Sequence, residues 1–359
     1  MNSPKIRSVR VRSVRVPLPV PHTTASGTVA ESPLVLTDVV CDDGSVGHSI
    51  VFTYTPAALK PVADLVSGFG EWIKGDAAAP YDVEQKLSRR LRLLGPQGLT
   101  GIAVAAIDMA LWDASARRQQ MSLTQLLGGV AKPINAYGAV GYDGVQISAR
   151  TAEEWAKRGF KGVKAKIGYP SVAEDVAVIR AMRAAGGPEM AIMVDYNQCL
   201  TPTEAVQRMR VLDDEGLTWV EEPTLAHDYA GHAMIAREAA TPIQCGENWW
   251  GPLDMQHALD ANASDYLMPD VMKIGGVTGW MRAAALAHAV NKKASSHLWP
   301  EISAQLLAVT PTAHWLEYAD WWNSVVAEPL VVTDGEASFE GVIGSGVEWN
   351  AKAIERYAA

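Results

Sequence analysis

Four short stretches decide the fold: VKAKI at residues 163–167, IMVDY at 192–196, TWVE at 218–221 and IQCG at 243–246. Each is an apolar, β-prone run that contains an ionisable residue or directly precedes one. Alanine-rich helical segments, for instance 172–185 and 203–215, lie between them. This alternation of strand and helix predicts parallel strands joined by helices, that is, an α/β fold.

The same pattern continues on both sides of these stretches. Eight strand candidates recur at intervals of roughly 20–30 residues, which predicts an α/β barrel of the modified (β/α)7β TIM type. Such a barrel brings all strand C-termini to one mouth, where the active sites of this fold lie. The candidates are 136–140, 163–167, 192–196, 218–221, 243–246, 266–268, 294–298 and 313–316.

The first third of the chain has a different sequence pattern, with β-rich runs followed by helical segments. Two β-rich runs, 35–41 and 46–54, flank the turn-forming tetrad DDGS at 42–45, which predicts a hairpin. Helical patterns follow at 57–67, 81–94 and 99–118. We therefore expect an N-terminal α+β domain over 1–128 and the barrel over 129–320. The segment 321–359 lacks the barrel period, and we expect it to pack back on the N-terminal domain.

Composition excludes several classes of protein. With 48% hydrophobic and 20% charged residues, the 359-residue chain is ordered and buries a large core. Its net charge of −9 argues against a nucleic-acid partner. The N-terminus has no signal-peptide pattern, no run of 18 residues is wholly apolar, and the three cysteines are far apart. We expect a cytoplasmic protein without a membrane partner.

Three carboxylates end consecutive strand candidates. Asp195, Glu221 and Glu247 would repel one another in a low-dielectric pocket unless a cation neutralised them. Oxygen-only ligation favours a hard ion, so the sequence predicts Mg²⁺, with Mn²⁺ as a substitute. Glu222 borders the same site, and alternation along a strand lets only one of Glu221 and Glu222 point inward.

Two lysines lie on the same face of one strand. Lys164 and Lys166 are two residues apart, so both ammonium groups face the same side. Because a second cation lowers the pKa of a lysine, this pair predicts a lysine base.

Polar residues on other strands complete the candidate site. Asp270 precedes the strand of His297, and an aspartate bonded to one imidazole nitrogen would fix the tautomer and give a second acid/base. Asn197 shares the face of Asp195 and is a candidate substrate contact. Glu317, if burial kept it protonated, could hydrogen-bond a substrate carboxylate. Together these groups suit proton abstraction next to a carboxylate, through a metal-stabilised enediolate.

Longer motifs carry a family resemblance. They are KAKIGYP (164–170), VDYNQ (194–198), EEP (221–223), GENWWGP (246–252), MPDVMKIGGVTGW (268–280), SSHL (295–298), TAHWLE (312–317), IDMALWDA (107–114) and LLGG (126–129). Nearly end to end, the chain resembles the mandelate racemase subgroup of the enolase superfamily. The resemblance implies that the N-terminal domain, completed by the C-terminal segment, caps the barrel, and it implies a homo-oligomer, often an octamer.

The resemblance also implies roles for the site residues. Glu221 rather than Glu222 becomes a metal ligand, and Lys273 is interpreted as structural. Relatives close the pocket with a mobile loop, which corresponds here to 20–29. The implied metal ligands are Asp195, Glu221 and Glu247; the bases are Lys166 and His297; Lys164 tunes Lys166, Asp270 orients His297, and Glu317 is the electrophilic acid. The implied substrate contacts are Lys164, Asn197, His22, Ser26, Val29, Tyr54, Ala139, Leu298 and Ala319.

Three functions are compatible with this pattern. The first is a Mg²⁺-dependent racemase that interconverts the enantiomers of an aryl 2-hydroxy acid by two-base 1,1-proton transfer. The second is an acid-sugar (aldonate or aldarate) dehydratase that uses the same lysine and the same His–Asp pair, and the polar residues His22 and Ser26 favour it. The third is a ligand-binding barrel without catalysis. Such a protein would lack one of the metal ligands or one of the bases, and this sequence has all of them.

Overall fold

The N-terminal part of the chain forms a sheet backed by helices. A computed structural model describes residues 3–24 and 27–359. Three antiparallel strands, β1 (Ile6–Thr24), β2 (Gly27–Cys41) and β3 (Val46–Phe52), pair in that order. The helices that follow are α1 (Pro56–Ile73), α2 (Pro80–Arg90), α3 (Gly98–Arg118) and the short α4 (Leu123–Leu126).

The predicted hairpin at 42–45 is confirmed. Asp43 Oδ1 accepts a hydrogen bond from the backbone N–H of Ser45 at 3.0 Å, and Gly44 takes a positive φ of 89° that suits glycine. By contrast, β1 was not predicted, and the expected loop at 20–29 is largely a second hairpin, in which His22 pairs with Val29. Ser26 lies outside the described residues.

Helix α3 joins the two halves of the molecule. Gly47 of β3 passes so close that a Cβ there would lie 1.9 Å from the carbonyl oxygen of Ala110, so only glycine fits. On the barrel side, Trp112 donates from Nε1 to Thr278 Oγ1 at 2.9 Å. Among the described residues, α3 alone is long and apolar enough to cross a membrane, and 72% of its most apolar window is buried inside the protein.

The barrel closes as predicted. Eight parallel strands pair in chain order, and the last pairs with the first. They are β4 (Ile134–Val140), β5 (Gly162–Lys166), β6 (Ala191–Asp195), β7 (Trp219–Glu221), β8 (Ile243–Cys245), β9 (Tyr266–Leu267), β10 (Ala294–Ser296) and β11 (Ala313–Tyr318). The helices between them are α5 (Gly144–Lys157), α6 (Val172–Gly186), α7 (Pro202–Leu212), α8 (Tyr229–Glu238), α9 (Pro252–Asp260), α10 (Gly276–Ala289) and α11 (Pro300–Ala308). The predicted fold class, a barrel with an N-terminal cap, is confirmed.

The C-terminal segment touches both parts. Its hairpin, β12 (Val331–Thr333) and β13 (Glu336–Ser338), adds antiparallel to β4, and α12 (Ala351–Arg356) follows. Trp349 then donates from Nε1 to Asp38 of the cap at 2.7 Å. The backbone N–H of Ala359 donates to Ser13 of β1 at 3.0 Å. We call the part of the chain from β1 to the end of α4, with the loops that connect these elements, the cap.

Candidate active site

Parallel pairing brings three carboxylates together at the barrel mouth. In the ladder Asp195 lies opposite Glu221, and Glu247 follows two residues after the end of β8. One oxygen from each of the three side chains lies within 4.8 Å of the others. Asp195 and Glu221 are buried, and Glu247 keeps 12% of its side-chain surface exposed.

This cluster fits a hard divalent cation. All three donors are carboxylate oxygens, which Mg²⁺ prefers, and one edge of the cluster opens to the cavity through Glu247. Neighbours hold the donors in place: Trp219 Nε1 lies 3.1 Å and Gln244 Nε2 3.3 Å from Glu221 Oε2. Glu222 is not one of the three and accepts a hydrogen bond from Asn248 Nδ2 at 2.7 Å.

Both lysines of β5 reach this cluster. Lys164 Nζ lies 2.5 Å from Glu221 Oε1 and 2.8 Å from Glu317 Oε1, and Lys166 pairs with Asp195. The sequence predicted a lysine with a lowered pKa. Here burial and Lys164 do lower the pKa of Lys166, but Asp195, Glu247 and Glu221 together outweigh them and the pKa is raised. The physical cause of this difference is the negative charge of the carboxylates that would bind a cation.

His297 sits on the other flank of the cluster. Its Nδ1 lies 2.6 Å from Asp270 Oδ2, and its Nε2 lies 3.2 Å from Glu247 Oε2. Burial lowers the pKa of His297, but Glu247, Glu317 and Asp270 outweigh it and the pKa is raised. Asp270 is held in turn by the backbone N–H of Met272 at 2.6 Å. The imidazole therefore has a fixed orientation, with Nε2 towards the carboxylates.

Glu317 differs from the expectation of a protonated acid. Burial alone raises its pKa, but Lys164, His297 and Lys166 outweigh burial, so the pKa of Glu317 is lowered. Its Oε2 also accepts a hydrogen bond from the backbone N–H of Leu298 at 3.0 Å. In this charge environment Glu317 is a carboxylate that anchors Lys164.

A cavity of about 680 Å³ lies over these groups. The cap covers it with His22, Val29 and Tyr54, and the barrel contributes Leu298 and Asn197, all predicted substrate contacts. The backbone N–H of Asn197 donates to Asp195 Oδ1 at 2.6 Å, which ties it to the carboxylate cluster. Further apolar residues, none of them among the predicted substrate contacts, also line the cavity: Phe52, Leu99, Ile102 and Trp321.

Ala139 and Ala319 do not reach this cavity. They line a neighbouring cavity of about 290 Å³. The rings of His22 and Trp321, with centroids 5.1 Å apart, border both cavities. Burial, together with the nearby Lys166, lowers the pKa of His22 to about 3, so the ring is neutral near neutral pH. His22 therefore acts as a neutral polar wall between the two spaces.

Lys273 also lines the cavity, although it was interpreted as structural. Its Nζ donates to Asn248 Oδ1 at 2.6 Å and lies 4.8 Å from the ring centroid of Tyr54. The positions of Asn248 and Lys273 in the sequence could have identified both as cavity residues. Asn248 adjoins Glu247, and Lys273 follows Asp270 by three residues, so both lie near the barrel mouth. The sequence analysis missed Asn248, and also Trp250 and Gln198, which line the same cavity.

Family descriptions match almost the whole chain. "Mandelate racemase / muconate lactonizing enzyme, N-terminal domain" matches residues 6–128, and "Enolase C-terminal domain-like" matches residues 147–353. The chain belongs to the enolase superfamily, in the mandelate racemase / muconate lactonizing enzyme group.

Relatives in this family carry out several reactions. A 3,6-anhydro-alpha-L-galactonate cycloisomerase from Streptomyces coelicolor is 32% identical over 98% of this chain and 99% of its own. An L-talarate/galactarate dehydratase from Salmonella typhimurium is 30% identical over 86% of this chain and 78% of its own.

Solved structures are similar over the full length. An enolase from Bradyrhizobium, complexed with magnesium and mandelic acid, is 42% identical with a TM-score of 0.96 and covers 100% of this chain and 99% of its own. A racemase from Streptomyces coelicolor also holds magnesium; it is 31% identical with a TM-score of 0.92 over 99% of this chain and 100% of its own. The present protein is accordingly a Mg²⁺-dependent enzyme of this superfamily.

Proposed function

We propose that the protein is a racemase of aryl 2-hydroxy acids, with Asp195, Glu221 and Glu247 as the Mg²⁺ ligands. The observation that carries the proposal is the position of two candidate bases on opposite flanks of the carboxylate cluster. Lys166 contacts Asp195 at one end, and His297 lies 3.2 Å from Glu247 at the other. Racemisation needs this arrangement, because one base removes the proton from one face and another returns it to the opposite face.

The chain's own residues account for the proton transfers. Lys166 Nζ serves one enantiomer and His297 Nε2 the other, and each returns a proton when the opposite base has taken one. Asp270 holds the imidazole tautomer, with Nδ1 towards the aspartate at 2.6 Å. Lys164 supplies positive charge near the substrate carboxylate as negative charge develops there. Bound Mg²⁺ supplies Lewis-acid stabilisation of the same charge.

The cavity walls support an aryl substituent. Val29, Phe52, Leu99, Ile102 and Leu298 line the cavity and offer apolar surface. Apolar pockets bind flat rings through burial, with a few polar groups that fix orientation. The Bradyrhizobium enolase with mandelic acid, 42% identical, points to the same ligand class.

An acid-sugar dehydratase is the second candidate. Polar groups other than the two bases line the cavity, among them His22, Thr28 and Gln198, and could bind the hydroxyl groups of a sugar acid. The talarate/galactarate dehydratase relative, 30% identical, points the same way. In this reaction Lys166 would remove the α-proton and His297, as an acid, would assist loss of the 3-hydroxyl.

Proton NMR in D₂O with Mg²⁺ separates the two candidates. We expect the α-proton of both mandelate enantiomers to exchange with deuterium while the carbon skeleton stays intact. Exchange should stop in Lys166→Ala for at least one enantiomer and continue in the exposed-surface control Lys161→Ala. If mandelate is inert and an aldonate or aldarate yields a 2-keto-3-deoxy product, the racemase proposal is wrong and the dehydratase is supported.

A further inference from the structure

A second cavity of about 390 Å³ lies between the cap and the barrel. Its cap wall comes from α2, α3 and the turn between them, and its barrel wall comes from the segments that follow β8 and β9. Trp250 and Lys273 line both this cavity and the catalytic cavity. The two spaces are therefore neighbours that share a wall, and the second one belongs to neither domain alone. We call it the interdomain cavity.

Its lining is mainly apolar. Leu91, Val104 and Ile274 contribute aliphatic surface, and Trp250 contributes an aromatic ring. The ring packs against the backbone of α3, since a Cβ at Gly101 would lie 3.3 Å from its Cε3. A volume of 390 Å³ lies within the range of small-ligand sites and far exceeds what a single water needs.

Positive charge exceeds negative charge among the lining residues, which include three cations, Arg92, Lys273 and Arg282, and one carboxylate, Glu84. Glu84 is already satisfied, because its two oxygens accept hydrogen bonds from Ser88 Oγ and from Arg282, both at 3.1 Å. Lys273 is engaged with Asn248 on the catalytic side. Arg92 is exposed, and no carboxylate of residues 3–24 and 27–359 forms an ion pair with it. On a chain with net charge −9, this local excess of positive charge favours an anion.

We propose that the interdomain cavity is a second ligand site that takes a small amphipathic monoanion, with its apolar body against Leu91, Val104 and Ile274 and its carboxylate or sulfonate at Arg92. Such a ligand would contact cap and barrel at once, so its binding would hold the two parts together. This site is independent of the reaction proposed above, and its test does not use turnover.

Fluorescence titration with anilinonaphthalenesulfonate tests the proposal, because this probe has a flat apolar body and one sulfonate. We expect saturable binding of one probe per chain. Ser88→Trp places an indole at the mouth and should weaken binding at least about tenfold. Arg92→Gln should weaken it about fivefold, the scale of one solvent-exposed charge contact.

Three control variants locate the probe. Ser67→Trp on α1 adds the same indole to an exposed position outside the cavity, and Arg89→Gln removes a neighbouring exposed charge from α2. Both should bind the probe as the unaltered chain does. Val29→Trp fills the catalytic cavity instead and should also leave binding unchanged.

Three results would overturn the proposal. One is binding that Val29→Trp abolishes and Ser88→Trp leaves intact, since the probe would then occupy the catalytic cavity. Another is binding that all variants share, which indicates a nonspecific surface. The third is no saturable binding to the unaltered chain. A loss of oligomers in Ser88→Trp would then indicate that a second copy of the chain covers the cavity near Leu253, which is 65% exposed.

Discussion

Two parts of the catalytic cavity, its floor and its roof, are held together by different kinds of contact. We call floor the charged side chains at the barrel strand ends, and roof the cap residues that cover them, among them His22, Val29 and Tyr54. Floor residues engage one another by ion pairs, such as Lys164 with Glu221 at 2.5 Å. Roof residues hold one another by ring contacts and strand pairing, such as His22 with Val29. We therefore propose that the floor supplies the chemistry, whereas the roof determines which substituent fits.

A change in the floor's carboxylates should have the largest effect. Glu221→Gln removes the charge of one of the three proposed Mg²⁺ ligands, so we expect Mg²⁺ affinity to fall by about a hundredfold and turnover by about a thousandfold. Calorimetry with Mg²⁺ measures the first and the D₂O exchange assay the second. Glu222→Gln is the matched control, since burial raises the pKa of Glu222 to about 8 and the amide mimics its neutral form. Equal losses in both variants would mean that Glu222 shares the ligand role.

A change at Asp270 should have the next largest effect. Asp270→Asn leaves the shape of the floor intact but no longer fixes the imidazole tautomer, so the step that uses His297 should slow by about a hundredfold or more. The acidic limb of the pH–rate profile should also move to lower pH, because Asp270 contributes to the raised pKa of His297. Asp260→Asn, exposed at the end of α9, is the control. An unchanged profile in Asp270→Asn would remove His297 from the mechanism.

A substitution in the roof should have a smaller effect on activity than one in the floor, and it should change the substrate preference. His22→Val replaces a neutral polar ring by an aliphatic group, so we expect kcat/KM to shift about tenfold in favour of aryl acids over sugar acids. Val20→His, three-quarters exposed on the same strand, should leave the ratio unchanged. A fall of both activities by the same factor would indicate that His22 acts on the floor rather than on the choice of substrate.

The floor was predictable from the sequence, and the roof was not. Lys166, Asp195, Glu221 and Glu247 end or directly follow apolar runs, and parallel pairing alone forces such positions to one edge. The roof depends on how the cap lies over the barrel, which no periodicity encodes. That is why Ala139 and Ala319 were assigned to the substrate cavity but line a neighbouring one, and why β1 went unrecognised among its arginines and prolines.

A buried histidine outside both regions should affect stability alone. His232 is buried with its Nδ1 3.3 Å from Cys245 Sγ, and burial lowers its pKa from 6.5 to about 4. As the pH falls, this histidine therefore takes up a proton in the unfolded chain before it does so in the folded chain. The free energy of unfolding should fall by about 3 kcal/mol between pH 6.5 and pH 4 because of His232. Urea unfolding across that range should show a smaller loss in His232→Asn, with unchanged exchange activity at pH 7.5. An identical pH dependence in both proteins would contradict this.

Deuterium exchange, followed separately for each mandelate enantiomer in Lys166→Ala and in His297→Asn, tests most directly whether two bases face each other across the metal site. The account predicts that neither variant racemises, and that each still exchanges the α-proton of one enantiomer, a different one in each case. Racemisation that persists in both variants, or loss of exchange of the same enantiomer in both, would contradict it.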